Sequence, residues 1–444
     1  MPDHVLSDGE LSDPVLSDPV LSDPALADRA RPDPALPGHD HRRLGRELQI
    51  FDTDPLIGAG LPYLLPAGAA VRHELEEYVR DLERRAGFQH VYSPVLAKRE
   101  LYEISGHWEH YRDGMYPPMA ASSAAGAEQV VLRPSLCPHH AVIYRSRARS
   151  YRELPLRIAE LGGMYRAELS GVLGGLTRVR SIQLNDAHIF CAPDQVASEA
   201  AAALAMIRQA YQAAGIEPAR YRLSLAGPSA KYAGSPQMWD RAAAVLRDVL
   251  EDAGVSYEAE EGEAAFYGPK IDVQVADSAE RETSLSTVQV DFYLPERFGL
   301  EYVRPDGGRG RPVMVHRSVI GGLERMMAHL VDVHGGAFPP WLSPVQLVVL
   351  PVSGAHQPQA EALARAAMDK DLRAEVASDG SLGARIRDHR LVPYQAIIGA
   401  AEAASGEVSL RLRDGRKLPS QPAPEFLSRL RAQVAARTPE LWPE

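Results

Sequence analysis

An α+β architecture follows from three features of this 444-residue sequence. Residues 180–191, 270–275 and 287–294 alternate along the chain in the manner of antiparallel strands. Residues 69–87, 193–215 and 238–254 carry apolar stripes at helical spacing, which predicts helices packed against that sheet. After the break at 338–344 (FPPWLSP) short apolar strands and helices alternate, which predicts a separate α/β domain of about a hundred residues.

The elements follow in order. Residues 1–38 repeat LSDG, LSDPV, LSDPV, LSDPA and RPDPA, with seven prolines and no aromatic residue. Such an acidic, Pro-rich stretch cannot bury enough surface to offset its ordering entropy, and a disordered tail is expected. Helix 69–87 places Val71, Leu75, Tyr78, Val79 and Leu82 on one stripe and ends at Gly87, and 89–95 then reads as extended. Strand 180–191 puts Ile182, Leu184, Asp186, His188 and Phe190 on one face. Helix 193–215 opens at a proline and closes at a glycine. Strand 287–294 carries Thr287, Gln289 and Asp291 on one face and Val288, Val290 and Phe292 on the other. Beyond the break come a strand at 345–350, a helix at 359–368, a strand near Leu372, a helix at 382–389 and a strand at 394–398. The expected division is a tail at 1–38 and domains at 39–343 and 344–444.

Apolar residues make up 45 % and charged residues 24 %, which excludes a collagen, a coiled-coil rod and a wholly disordered chain. No apolar run reaches the ~18 residues of a transmembrane helix. The acidic N-terminus is unlike a signal peptide. Cys137 and Cys191 alone cannot build a disulfide framework, so a reducing cytoplasm is the expected compartment. The net charge is −11, and eight acids against two bases in 1–38 supply more than half of it. This argues against indiscriminate nucleic-acid binding but leaves room for local basic patches.

Several residues could carry chemistry. Asp186 and His188 among apolar neighbours need partners, as a structural pair or as a metal or substrate site. There is no CxxC or HExxH, so Cys137, His188 and His316 become metal candidates only if the fold gathers them. Arg166, Arg178 and Arg180 bracket the Gly-rich turn 170–175, and Arg325 follows Gly321-Gly322. Guanidinium groups suit phosphate, though solvated arginines beside a hairpin have the same pattern. Neither a Walker A loop nor a GxGxxG after a strand is present. In 407–413 Ser409, Arg411 and Arg413 face outward, a basic stripe open to solvent or to RNA.

Taken in order, these segments resemble threonyl-tRNA synthetases, which are class II aminoacyl-tRNA synthetases, from about Asp40 to the C-terminus. His41-Arg42-Arg43-Leu44-Gly45 is similar to the start of their catalytic domain, and 69–94 to motif 1, a helix then a strand ending in proline. Gly106-His107-Trp108 with Tyr111 and Met115 resembles the GHW signature. Tyr165-Arg166-Ala167-Glu168 through Arg180 resembles motif 2, followed by Asp186-Ala187-His188-Ile189-Phe190. Phe266-Tyr267-Gly268-Pro269-Lys270-Ile271 and Thr287-Val288-Gln289 match, and Gly321-Gly322-Leu323-Glu324-Arg325 resembles motif 3.

The resemblance implies a class II antiparallel sheet flanked by helices and a C-terminal anticodon-binding domain. It implies activation of threonine by ATP with magnesium, transfer to tRNA(Thr), and a homodimer formed through the motif 1 region. One zinc per chain would be held by Cys137, His188 and His316. ATP would meet Arg166 at the α-phosphate, Arg325 at the γ-phosphate, Glu168 at adenine, and Arg178 and Thr287. Asp186, Tyr267 and Gln289 would seat the amino acid, and His107 would assist transfer to the tRNA ribose. Glu402 and Arg411 stand at anticodon-reading positions.

The chain also departs from the family. Ser135, Leu136 and His139 alter the PMNCPGH pattern, and Leu184 replaces a pocket glutamine. Only the tail precedes the catalytic segment, so cis-editing is expected to be absent. The altered pocket leaves two alternatives open: activation of another β-hydroxy amino acid for a small-molecule pathway, or a non-catalytic regulatory paralogue.

Overall fold

The computed structural model describes residues 40–442 apart from Ala125 and Ala230, so the tail expected at 1–38 lies outside the described residues. The chain enters through helix α1 (His41–Glu47), capped by Asp40, whose carboxylate accepts the Arg42 N–H. Helix α2 (Pro66–Arg85) begins one turn before the sequence suggested. Pro66 supplies a helical φ at a position whose N–H would be orphaned anyway. Helices α3 (Cys137–Arg145), α4 (Val196–Ala214), α5 (Pro236–Asp252) and α6 (Leu323–His334) follow. The expected proline start of α4 is corrected: Pro193 lies in the preceding turn, while Gly215 closes the helix in the left-handed region. Ser235 caps α5 by accepting the Met238 N–H.

Eight strands form the large sheet: β1 (Gln89–His90), β2 (Leu156–Tyr165), β3 (Ser181–Cys191), β4 (Arg220–Leu225), β5 (Tyr257–Glu261), β6 (Lys270–Ala276), β7 (Glu282–Asp291) and β8 (Val313–Ser318). Their order is β5-β4-β6-β7-β8-β3-β2-β1. The six inner strands pair antiparallel, as expected, while β5 and β1 join the edges in parallel. Of the extended stretch 89–95 only β1 joins the sheet ladder.

Helices α2, α4, α5 and α6 cover one face. Val79, Ile207, Leu246 and Leu330 pack there against Val273, Val288 and Val315. On the opposite face α3 packs Ala141 and Tyr144 over Ile158, Phe190 and Met314, and the rest of that face is left to the site. From Asn185 onward β3 is buried on both faces, so its alternation separates a core face from a site face rather than inside from outside.

A five-stranded sheet follows: β9 (Leu347–Pro351), β10 (Ala374–Val376), β11 (Tyr394–Ile398), β12 (Glu407–Leu412) and β13 (Lys417–Pro422), in the order β10-β9-β11-β12-β13. Helices α7 (Gln357–Met368), α8 (Leu382–Asp388), α9 (Ala400–Ser405) and α10 (Ala423–Ala436) accompany it. The first three strands in that order run parallel and the last two antiparallel, which makes the sheet mixed. The segment 338–344 is packed, with Phe338 and Trp341 buried in the first core. Ion pairs from Arg373 to Glu74 and from Arg437 to Asp81 tie this part of the chain to α2.

Candidate active site

Pairing of β3 with β8 sets His188 directly opposite His316, with ring centroids 4.5 Å apart. Cys137, the first residue of α3, joins them. Its Sγ and one ring nitrogen of each histidine all lie within 4.8 Å of one another, and all three residues are buried. The far side of each ring is occupied. His316 Nε2 lies 2.9 Å from Asp291 Oδ2, which leaves the Nδ1 lone pair free to ligate a metal. His188 Nδ1 lies 2.7 Å from His140 Nδ1, and His140 Nε2 lies 3.2 Å from Glu160 Oε2.

With both rings neutral, the proton bookkeeping along this second chain has one solution. The carboxylate accepts from His140 Nε2–H, so His140 Nδ1 accepts from His188 Nδ1–H, and His188 Nε2 is left bare. Burial opposes charge on Glu160, but hydrogen bonds from His140 and Ser93 and the Arg133 charge outweigh it and hold the carboxyl at about 2. Burial, the largest cause, keeps His188 neutral by lowering its pKa well below the usual value. The neutral His188 ring, the His316 ring and a thiol, with outer hydrogen bonds fixing both rings, suit zinc with three protein ligands and one open position. Burial pushes the Cys137 thiol up, so a bound dication is what would make it a thiolate.

From this cluster a cavity of about 350 Å³ reaches the Gly-rich turn. Asp186 lies beside the metal-type donors. Burial pushes its carboxyl up to about 6 against the pull of the Arg317 charge. Tyr267 stacks on His316 at 4.9 Å and 20°. Gln289 sits opposite His316 in the β7–β8 register. Its Oε1 is buried without a hydrogen-bond partner, an acceptor left for a ligand or water. Thr287 is two residues further along the same face and also lines the cavity.

Arginines gather at the other end. Arg178 pairs with Glu168 at 2.8 Å. Arg325, near the start of α6, donates to Thr177 O at 3.0 Å and to Ser284 O at 2.9 Å. Burial, then the charges of Arg166 and Arg178, lowers its pKa to about 10. Arg166 lies over the Tyr111 ring and its Nε is buried without a partner. Crowded like charges in a partly enclosed cavity make a seat for a polyanion. Glu324, half-buried next to Arg325, accepts the Gln183 N–H at 3.1 Å. A more open depression of about 700 Å³ beside Ile104 and Tyr293 holds none of the candidate residues.

Three expected residues lie outside the cavity. His107 is buried against the metal-type cluster, with Nδ1 at 2.9 Å from Ser105 Oγ and Nε2 at 2.9 Å from Ser135 Oγ. Ser135 Oγ is 3.2 Å from Cys137 Sγ. Burial lowers the His107 pKa to about 3. Glu402 spends its carboxylate on the Gly399 N–H and on Ser409 Oγ. Arg411 projects with Ser409 from the half-exposed face of β12. Sequence reasoning assigned no role to His140, Glu160 or Asp291.

Comparison with known proteins bears on the fold and the family. A family model described as tRNA synthetase class II core domain (G, H, P, S and T) matches residues 122–334, and an anticodon binding domain model matches 346–433. Threonine--tRNA ligase of Geobacillus sp. (strain WCH70) is 46 % identical over 401 residues, covering 89 % of this chain and 62 % of the relative. Threonine--tRNA ligase 1 of Bacillus subtilis (strain 168) is 47 % identical over 370 residues, covering 82 % and 57 %. The chain therefore spans about three fifths of the length of these curated relatives. A crystal structure of the RNA binding domain of threonyl-tRNA synthetase from Cryptosporidium parvum Iowa II superposes with a TM-score of 0.83 at 33 % identity, covering 89 % of this chain and 98 % of that one. Prolyl-tRNA synthetase from Giardia lamblia shares the fold, with a TM-score of 0.68 at 15 % identity over 89 % of this chain and 79 % of that one. With both family models matched in order, and with 33 % identity over nearly the whole of a solved relative, the chain belongs to the threonyl-tRNA synthetase family of class II aminoacyl-tRNA synthetases.

Proposed function

We propose that this chain activates threonine with ATP to threonyl adenylate and passes the threonyl group to tRNA(Thr). One observation carries the reading: a single cavity has a Cys137/His188/His316 cluster with Asp186 at one end and Arg166, Arg178 and Arg325 at the other. Asp186 accepts the β-hydroxyl, while Tyr267 and Gln289 seat the amino acid. Valine would leave the buried Asp186 without its partner, and a site built for a hydroxyl rejects such an analogue strongly. Zinc bound at Cys137, His188 and His316 would supply an open Lewis-acid position for the amino and hydroxyl groups.

ATP with magnesium lies along the arginine end, with adenine near Glu168, and with Arg178 and Thr287 beside the nucleotide. A threonine carboxylate oxygen attacks the α-phosphorus and the bond to pyrophosphate breaks. Arg166 holds the α-phosphate and Arg325 the γ-phosphate as charge builds. In the transfer a ribose hydroxyl of the tRNA, placed near His107 as that ring exchanges its contact with Ser135 for the substrate, attacks the threonyl carbonyl; the ester bond forms as the bond to AMP breaks, and the hydroxyl proton leaves with the AMP phosphate. The domain at 344–444 reads the anticodon through Glu402 and Arg411.

Exposed Tyr92 and Leu96 beside the edge strand β1 support a homodimer through the motif 1 region. No helix among the described residues is long and apolar enough to cross a membrane, and we assign the chain to the cytoplasm.

The test is threonine-dependent ATP–pyrophosphate exchange with serine and valine as competitors, then charging of tRNA(Thr). Exchange without charging would move the assignment to another acceptor. Absence of exchange with every β-hydroxy amino acid would leave only a non-catalytic role.

A further inference from the structure

We propose that His41 is a positioning residue for the ATP-binding turn, clamping it to helix α6. The inference rests on the nucleotide reading given above. His41 opens α1 and is buried. Asp332 of α6 holds it twice: Oδ1 accepts the His41 backbone N–H at 2.5 Å, and Oδ2 lies 3.3 Å from His41 Nδ1. On the opposite edge of the ring, His41 Nε2 accepts the backbone N–H of Leu176 at 3.3 Å. One tautomer satisfies both edges, with the proton on Nδ1 facing the carboxylate and the lone pair on Nε2 facing the amide.

The turn is shaped for this contact. Gly175 has φ +55°, and a Cβ there would lie 2.6 Å from His41 Nε2, so only glycine lets the loop approach the ring. Leu176 is buried, which makes its amide costly to leave unpaired. The next residue, Thr177, gives its carbonyl to Arg325, and the one after is Arg178. Arg325 and Asp332 are seven residues apart, about two turns of α6, and so share a face. Helix α6 therefore grips two successive residues of the turn, Thr177 directly and Leu176 through His41. When a nucleotide phosphate recruits Arg325, the Thr177 contact competes with it, and the His41 contact is the one that does not. It keeps Arg178 and Glu168 in register for the nucleotide while Arg325 changes partner.

The test uses the full chain. His41→Leu keeps bulk and removes the acceptor, while His41→Gln returns a carbonyl oxygen near the Nε2 position. Asp332→Asn keeps an acceptor for the His41 N–H but turns a donor toward Nδ1, forcing the wrong tautomer on Leu176. Amide exchange of Leu176 is read without substrates, and KM for ATP and for threonine are read in pyrophosphate exchange.

We expect His41→Leu and Asp332→Asn to expose the Leu176 amide and to raise the ATP KM at least about fivefold, the scale of one buried amide left unpaired. The threonine KM stays within about twofold, and His41→Gln recovers most of the loss. Unchanged Leu176 exchange in both impaired variants overturns the proposal. So does an equal rise in both KM values, or a His41→Gln variant as impaired as His41→Leu. If His41→Leu does not fold, Asp332→Asn decides alone. If the wild type shows no exchange activity, the functional reading fails separately, and Leu176 exchange with calorimetric ATP affinity still decides this one.

Discussion

His140 Nδ1 lies 2.7 Å from His188 Nδ1, so one candidate metal ligand is oriented by a histidine three residues from another, Cys137, on α3. Outer hydrogen bonds of this kind fix both the tautomer and the aim of a ligating imidazole. His140→Leu keeps the Glu160–Arg133 ion pair, which is 3.0 Å long, and removes only the relay. Zinc affinity, read by competition with a chromogenic chelator, should fall about tenfold to a hundredfold. Cys137→Ala should abolish binding, since two imidazoles alone rarely hold zinc. A His140→Leu protein that holds zinc as tightly as wild type would show that the relay does not orient His188.

Arg325 makes a different prediction. Its guanidinium has fixed carbonyl partners at Thr177 and Ser284 and two like charges near it. A group pre-set against its own electrostatic environment gains most when an anion arrives. Arg325→Lys keeps a charge but loses the planar fork. Pyrophosphate exchange should slow by about a hundredfold, the usual scale for one lost transition-state donor, while threonine KM moves little. A matching rise in threonine KM would place the residue in general packing instead.

The sequence made much of the fold legible and little of the metal cluster. Helix α2 was readable because Val71, Leu75 and Leu82 form a stripe, but its start was not, because no side chain caps it at Leu65. Cys137, His188 and His316 are far apart in the chain and met only through the β3–β8 register and the start of α3. Local spacing is silent about such a set, and only the resemblance named it. His140 had a signal, three residues after Cys137 on one helix face. Asp291 had one too, on the polar face shared with Thr287 and Gln289. Glu160 had none, because β2 is largely buried on both faces and its polar residue breaks no pattern.

In the C-terminal part the two candidate RNA contacts separate. Glu402 is committed to its own helix start and to Ser409, whereas Arg411 projects from the β12 face. Arg411→Ala should lower tRNA charging about tenfold, the range for one base or phosphate contact, with pyrophosphate exchange unchanged. Glu402→Gln should change charging less than Arg411→Ala. Equal losses in exchange and charging for Arg411→Ala would remove the anticodon assignment.

Glu324 gives a prediction in pH. Burial raises its pKa from 4.5 to about 7, against its hydrogen bond from the Gln183 N–H and the Arg72 charge. A carboxyl with a raised native pKa binds its proton more tightly when folded than when unfolded. Below about pH 4.5 both states are protonated and the group contributes nothing to the pH dependence. Between about 4.5 and 7 the unfolded chain ionises first, so stability falls as pH rises, and above 7 the loss is complete. Its size is on the order of 3 kcal/mol. Glu324→Gln keeps an acceptor for Gln183 and removes the titration. Melting temperatures from pH 5 to pH 8 should therefore converge at low pH, with the variant progressively more stable than wild type toward pH 8. A constant offset across that range would mean that Glu324 is ionised in the folded protein throughout, held by the Arg72 charge and the Gln183 amide more strongly than burial opposes it.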